Sequence, residues 1–81
     1  MNREELRRRL EREGIMKTAY SLGGADDGEQ HVLRQAPGGK WSVYYSERGE
    51  KSGLRLFDTE HEACECLLDR ILRDPTTREA N

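Results

Sequence analysis

The sequence predicts an α+β domain: a helix, a three- to four-stranded antiparallel β-meander and a second helix, with both helices on one face of the sheet. Three observations carry this prediction. Two segments with helix-spaced leucines, one near each end, each open with a capping signal, Asn2 with Glu5 and Thr59 with Glu62. Between them lie short runs rich in aromatic and β-branched residues, parted by glycine-rich breaks. The chain has only 81 residues, enough for one domain with a thin core, because a chain of this size buries only ~60 % of its unfolded surface. The single domain is expected over residues 1–75, with 76–81 a flexible C-terminal tail after Asp74-Pro75.

The first helix is expected from Arg3 to Glu13. Gly14 then takes the left-handed position after the cap, which brings Ile15 back to Leu10 in a Schellman closure. Its apolar stripe is Leu6 and Leu10 alone, and its charges form i,i+4 pairs such as Glu5–Arg9 and Arg7–Glu11. Thr18 to Ser21 reads as a first strand and Gln30 to Gln35 as a second. The break at Ala36 to Lys40 turns the chain into a third strand, Trp41 to Arg48. Alternation puts Trp41, Val43 and Tyr45 on the core face and Tyr44 on the opposite one. After a loop at Gly49 to Gly53, Leu54 to Phe57 forms the fourth strand. The second helix starts at a full capping box, Thr59 with Glu62, and runs to about Arg73. It buries Cys64, Leu67, Leu68 and Ile71, the three aliphatics contributing roughly 1.5–3 kcal/mol each.

Composition narrows the function. Hydrophobic residues make up 33 % and charged residues 37 %, and no apolar run reaches the ~20 residues of a membrane span. The expectation is a cytoplasmic protein with no membrane partner. Cys64 and Cys66 point to opposite sides of the helix, so no internal disulfide is expected, and Cys66 reads as an exposed bystander thiol. A net charge of −2 argues against nucleic-acid binding. Arg7-Arg8-Arg9 is offset by neighbouring glutamates, and the second helix opens on acids rather than on the lysines of a double-stranded-RNA-binding domain.

No catalytic or cofactor motif emerges. His61-Glu62 lacks the second histidine of a zinc-protease helix, and acids around Cys66 disfavour a thiolate nucleophile. Gly38-Gly39-Lys40 lacks the spacing of a phosphate loop, and Asp26-Asp27-Gly28-Glu29 is too short for calcium. The reading is therefore a non-enzyme with no catalytic residue, metal or cofactor. One feature exceeds background. Between Asp58 and Asp74 six acids face two bases, a net of −4, so the negative excess sits on the second helix. Two competing partner-binding epitopes follow. One is the acidic helix side at Glu62, Glu65 and Asp69. The other is the open sheet face at Tyr44, with Glu47, Arg48 and the loop residues Asp26 and Asp27 beside it.

Tyr20-Ser21-Leu22-Gly23-Gly24, His31-Val32-Leu33-Arg34, Trp41 through Gly49, Phe57-Asp58-Thr59-Glu60, Glu62-Ala63-Cys64, Leu67-Leu68 and Arg73-Asp74-Pro75 together resemble a group of small actinobacterial-type proteins. Members of that group accompany polymorphic-toxin genes and look like immunity proteins. The likeness runs from about Leu6 to Thr77. It implies a protein that binds the catalytic domain of a cognate toxin and blocks it. The favoured toxin class is the NAD-hydrolysing one similar to the tuberculosis necrotising toxin, ahead of nucleases or deaminases. The resemblance fixes no inhibitory residue. Free, such a protein would be a monomer or weak dimer. A stand-alone adaptor or sheet-edge homodimer without a toxin is the alternative, and an RNA-binding module a third.

Overall fold

Helix α1 covers Arg3–Arg12 in the computed structural model, which describes residues 1–23 and 28–78. Its start is the capping box expected from the sequence, the Asn2 side chain accepting from the Glu5 N–H while the Glu5 carboxylate accepts from the Asn2 N–H. Its end is the Schellman closure. Gly14, at φ +76°, lets the Ile15 N–H donate to the Leu10 carbonyl at 3.0 Å and its own N–H donate to that of Glu11 at 3.1 Å. Ile15 is thereby buried beside Leu6 and Leu10.

A short 3₁₀ turn, Lys17–Ala19, leads into β1, Tyr20–Leu22, followed by β2, Gln30–Gln35, and β3, Trp41–Glu47. The strands form one four-stranded sheet in the order β1-β2-β3-β4, where β4 is Glu50–Phe57. Both hairpins are antiparallel, but β1 runs parallel to β2, with Tyr20 beside His31 and Leu22 beside Leu33. The sheet is therefore mixed, not the antiparallel meander predicted. A parallel neighbour requires the chain to return to the same end of the sheet. Because β1 has only three residues, that return spans about 10 Å, within reach of the short connection at 23–29. Glycine-rich composition serves a crossover as readily as a hairpin, so the direction was not written in the residues. The first strand also starts later than predicted, residues 17–19 being the 3₁₀ turn.

The last two strands differ from expectation as well. Arg48-Gly49 alone make the turn, both with positive φ, so Glu47 pairs directly with Glu50 and β4 is eight residues long. Residues 50–53, predicted as loop, belong to the strand, with a bulge where Gly53 takes φ +65°.

Helix α2, Glu60–Arg73, lies on the sheet with Ala63, Cys64, Leu67, Leu68 and Ile71 buried. The Thr59 cap is half a box: its hydroxyl accepts from the Glu62 N–H and donates to the Glu62 carboxylate at 2.9 Å. One hydrophobic cluster joins Leu6 and Leu10 of α1, this face of α2, and Tyr20, Leu33, Trp41 and Val43 of the sheet. After α2, the Asp74 side chain caps a 3₁₀ turn, Pro75–Thr77. Thr77 is 3 % exposed and its carbonyl accepts from the Met16 N–H at 2.8 Å, while Arg78 bridges to Ile15. The expected tail therefore begins too early. Residues 76–78 are stitched to the segment after α1 because their polar groups find backbone partners there; residues 79–81 lie outside those described.

Candidate functional site

Of the two predicted epitopes, the sheet-face one loses its anchor. Tyr44 does point away from the main cluster, yet it is 1 % exposed, paired across the ladder with the equally buried Val32 and overlaid by the Lys51 ammonium at 5.0 Å. A ring in the middle of a four-stranded sheet has cross-strand neighbours on both flanks, and these cover it. Tyr44 is a structural residue rather than an exposed contact. Glu47 and Arg48 are exposed, Glu47 ending β3 and Arg48 standing in the β3–β4 turn rather than in the strand. Asp26 and Asp27 lie outside the described residues.

The acidic helix keeps less free charge than its sequence count implies. Asp58 pairs with Lys40 at 2.9 Å, Glu60 with Arg3 at 3.4 Å, Asp69 with Arg73 at 3.1 Å, and Asp74 with His31 at 3.1 Å. Three of the four basic partners, Lys40, Arg3 and His31, come from distant parts of the chain, which a linear count cannot see. Glu62 and Glu65 remain exposed on the outer side, Glu62 held by Thr59 and Glu65 3.9 Å from His61. Cys64 is fully buried, and burial pushes its thiol up to about 11. Cys66 packs half-buried against the core rather than standing exposed. Among the described residues no three His, Cys, Asp or Glu side chains gather as a metal site, and no helix is long and apolar enough to cross a membrane.

What the structure adds is β4. It is the last strand of the sheet, and Glu50 to Leu56 are all exposed. Leu54 and Leu56, 53 % and 60 % exposed, are the large hydrophobic side chains left uncovered among the described residues. Alternation sets both on the face away from the helices, while Arg55 and Phe57 face the other way, the guanidinium 5.2 Å over the ring. One long side of β4 has no strand partner among the described residues, so a row of backbone donors and acceptors lies beside two apolar side chains. The sequence predicts Leu54 to Phe57 as the fourth strand, but alternation alone does not say which of its faces the helices leave uncovered.

Two concavities are lined by described residues. The larger lies between the start of α1 and the start of α2, where ion pairs Arg3–Glu60 and Arg7–Glu4 neutralise its walls. The second, of about 250 Å³, lies where β2 begins, β3 ends and the Pro75–Thr77 turn closes over them. His31, buried at 8 % exposure, packs edge-on against Tyr45 with ring centroids 4.9 Å apart, and its Nε2 meets the Asp74 carboxylate at 3.1 Å. Hydrogen bonds from Thr76 and then from His31 hold that carboxyl below the usual range. This pairing was not anticipated, because His31 and Asp74 stand 43 residues apart.

Comparison with protein families, curated proteins and solved structures finds no match for the chain.

Proposed function

We propose that the chain is an immunity-type inhibitor, a non-enzymatic protein that binds the catalytic domain of a cognate bacterial toxin in the cytoplasm and blocks it stoichiometrically. The observation that carries the reading is the β4 edge: eight residues of strand with open backbone groups and two exposed leucines, a surface suited to adding a partner's strand. The resemblance of the segments from Leu6 to Thr77 to toxin-associated proteins supplies the kind of partner, with an NAD-hydrolysing domain favoured over a nuclease or deaminase. Main-chain pairing supplies affinity in this mode, and Leu54 and Leu56 supply the apolar anchor beside it. Glu47 and Arg48 flank the strand at its turn, and Glu62, Glu65 and Asp69 remain a separate acidic surface for steering a basic partner.

The test is co-expression with the toxin domain encoded beside its gene, followed by purification and assay of toxin activity. A one-to-one complex with abolished activity is the expected result. A free toxin, fully active with the chain in excess, contradicts the reading. A chain that instead sediments as a dimer lost on Leu56→Lys favours the sheet-edge homodimer, in which a second copy takes the place of the toxin.

A further inference from the structure

We propose, resting on the reading of β4 as the inhibitory edge, that the partner segment added there is an acidic strand, an extended stretch of protein in which glutamate or aspartate alternates with apolar residues. Its carboxylates would lie on the helix side of the sheet, toward Arg55 and Arg70. Its apolar side chains would lie on the other side, against Leu54 and Leu56.

The two faces of β4 differ in chemistry. Leu54 and Leu56 are exposed on the face away from the helices. Arg55 pairs with Val43 of the main cluster, so its side chain lies on the helix side, its guanidinium 5.2 Å over the Phe57 ring. A second guanidinium reaches the strand from α2. Gly53 has no side chain, and Arg70 Nη1 lies 3.5 Å from where a Cβ there would stand. Acids near the two ends are engaged with other bases, Asp58 with Lys40 and Asp69 with Arg73. Arg3, Arg7, Arg9 and Arg73 each have a carboxylate partner, whereas among the described residues Arg55 and Arg70 have none.

An added strand continues the alternation of the sheet, so its successive side chains fall on opposite faces. On the helix side two guanidiniums favour carboxylates, which the planar fork of arginine binds through two parallel hydrogen bonds. A wholly apolar strand would leave both charges without a partner, and a basic one would repel them. On the other side Leu54 and Leu56 favour apolar residues. A second copy of β4 fits less well. Paired antiparallel, it would bring another Arg55 and Arg70 to that same side, with Glu50 alone to offset them. The demand for acid is local, and Glu62 and Glu65 on the outer side of α2 would address other parts of a partner.

The experiment is an NMR titration of labelled protein with blocked heptapeptides that alternate valine with glutamate, with glutamine or with lysine. Amide signals between Glu50 and Phe57 should move saturably with the glutamate peptide, which should bind about threefold to tenfold more tightly than the glutamine one, the value of two exposed ion pairs. The lysine peptide should bind most weakly. Arg55→Glu combined with Arg70→Glu should invert the order, so that the lysine peptide binds most tightly. Arg55 is exposed, so Arg55→Gln serves as a second variant that keeps the fold. It should weaken the glutamate peptide about two- to fivefold and leave the glutamine peptide unchanged. No saturable shift with any peptide, shifts confined to other elements, equal affinity for glutamate and glutamine, or an unchanged order in the double variant would overturn the proposal. Shifts of the same amides with protein concentration alone would assign the edge to a second copy and overturn it too. A toxin domain bound at β4 with undiminished affinity after Arg55→Gln would contradict the acidic strand and leave the inhibitory reading standing. Binding of the glutamate peptide without any toxin complex would do the reverse.

Discussion

At the scale of single residues, burial decides which side chains are free to act. Tyr44 has the chemistry of an interface anchor and the position of a core residue, and position governs. Truncating a fully buried aromatic removes its packing and leaves a cavity, so Tyr44→Ala should cost about 3–5 kcal/mol of stability, read as a lowered urea midpoint. A variant as stable as the parent that has lost partner binding would show that the ring is exposed to partners after all. Asp74 has a different signature. Its native carboxyl is held low by Thr76 and His31, so it binds a proton less readily in the folded than in the unfolded chain. Its contribution is complete above the ordinary aspartate value of about 4 and is lost as pH falls through the lower native value. Melting temperatures of the parent and Asp74→Asn should differ most above about pH 4 and converge in stronger acid. A gap that widens on acidification would contradict the pairing.

At the scale of elements, the parts fixed by local chemistry were legible in the sequence. The Asn2–Glu5 box, the Gly14 closure, the exact extent of β2 and the buried face of α2 all follow from residues within one or two turns of each other. What depended on distant partners was not legible. The direction of β1, the stitching of Thr77 to Met16, and the neutralisation of Asp58 and Glu60 by Lys40 and Arg3 each join residues separated by many positions. The β3–β4 turn lies between these cases. Arg48-Gly49 carries a glycine at only one of two positions needing positive φ, which disguised a two-residue hairpin as a longer loop. Arg48 sits at φ +50°, where a side chain costs roughly 1–2 kcal/mol, partly offset by the greater unfolded freedom of glycine. Arg48→Gly should therefore stabilise the domain by about 0.5–1 kcal/mol in equilibrium unfolding. A loss of stability would mean that the turn is not of this type.

At the scale of the whole molecule, one side of the sheet carries both helices and the main cluster, while the long strand at its end is left open with two leucines beside it. A protein of this size has little apolar area to spare, and Leu54 and Leu56 are the apolar surface that the proposed partner would cover. Ion pairs engage Glu60 and Asp69 of α2, so in the proposed complex its acidic side would serve encounter more than affinity. The account's central claim is that a partner adds to the β4 edge. Amide hydrogen exchange across β4, measured for the free chain and for the chain saturated with the toxin domain, tests it most directly. Outward-facing amides between Glu50 and Phe57 should exchange freely when alone and become protected in the complex. Protection confined to α2, with β4 exchanging as in the free chain, would contradict the account.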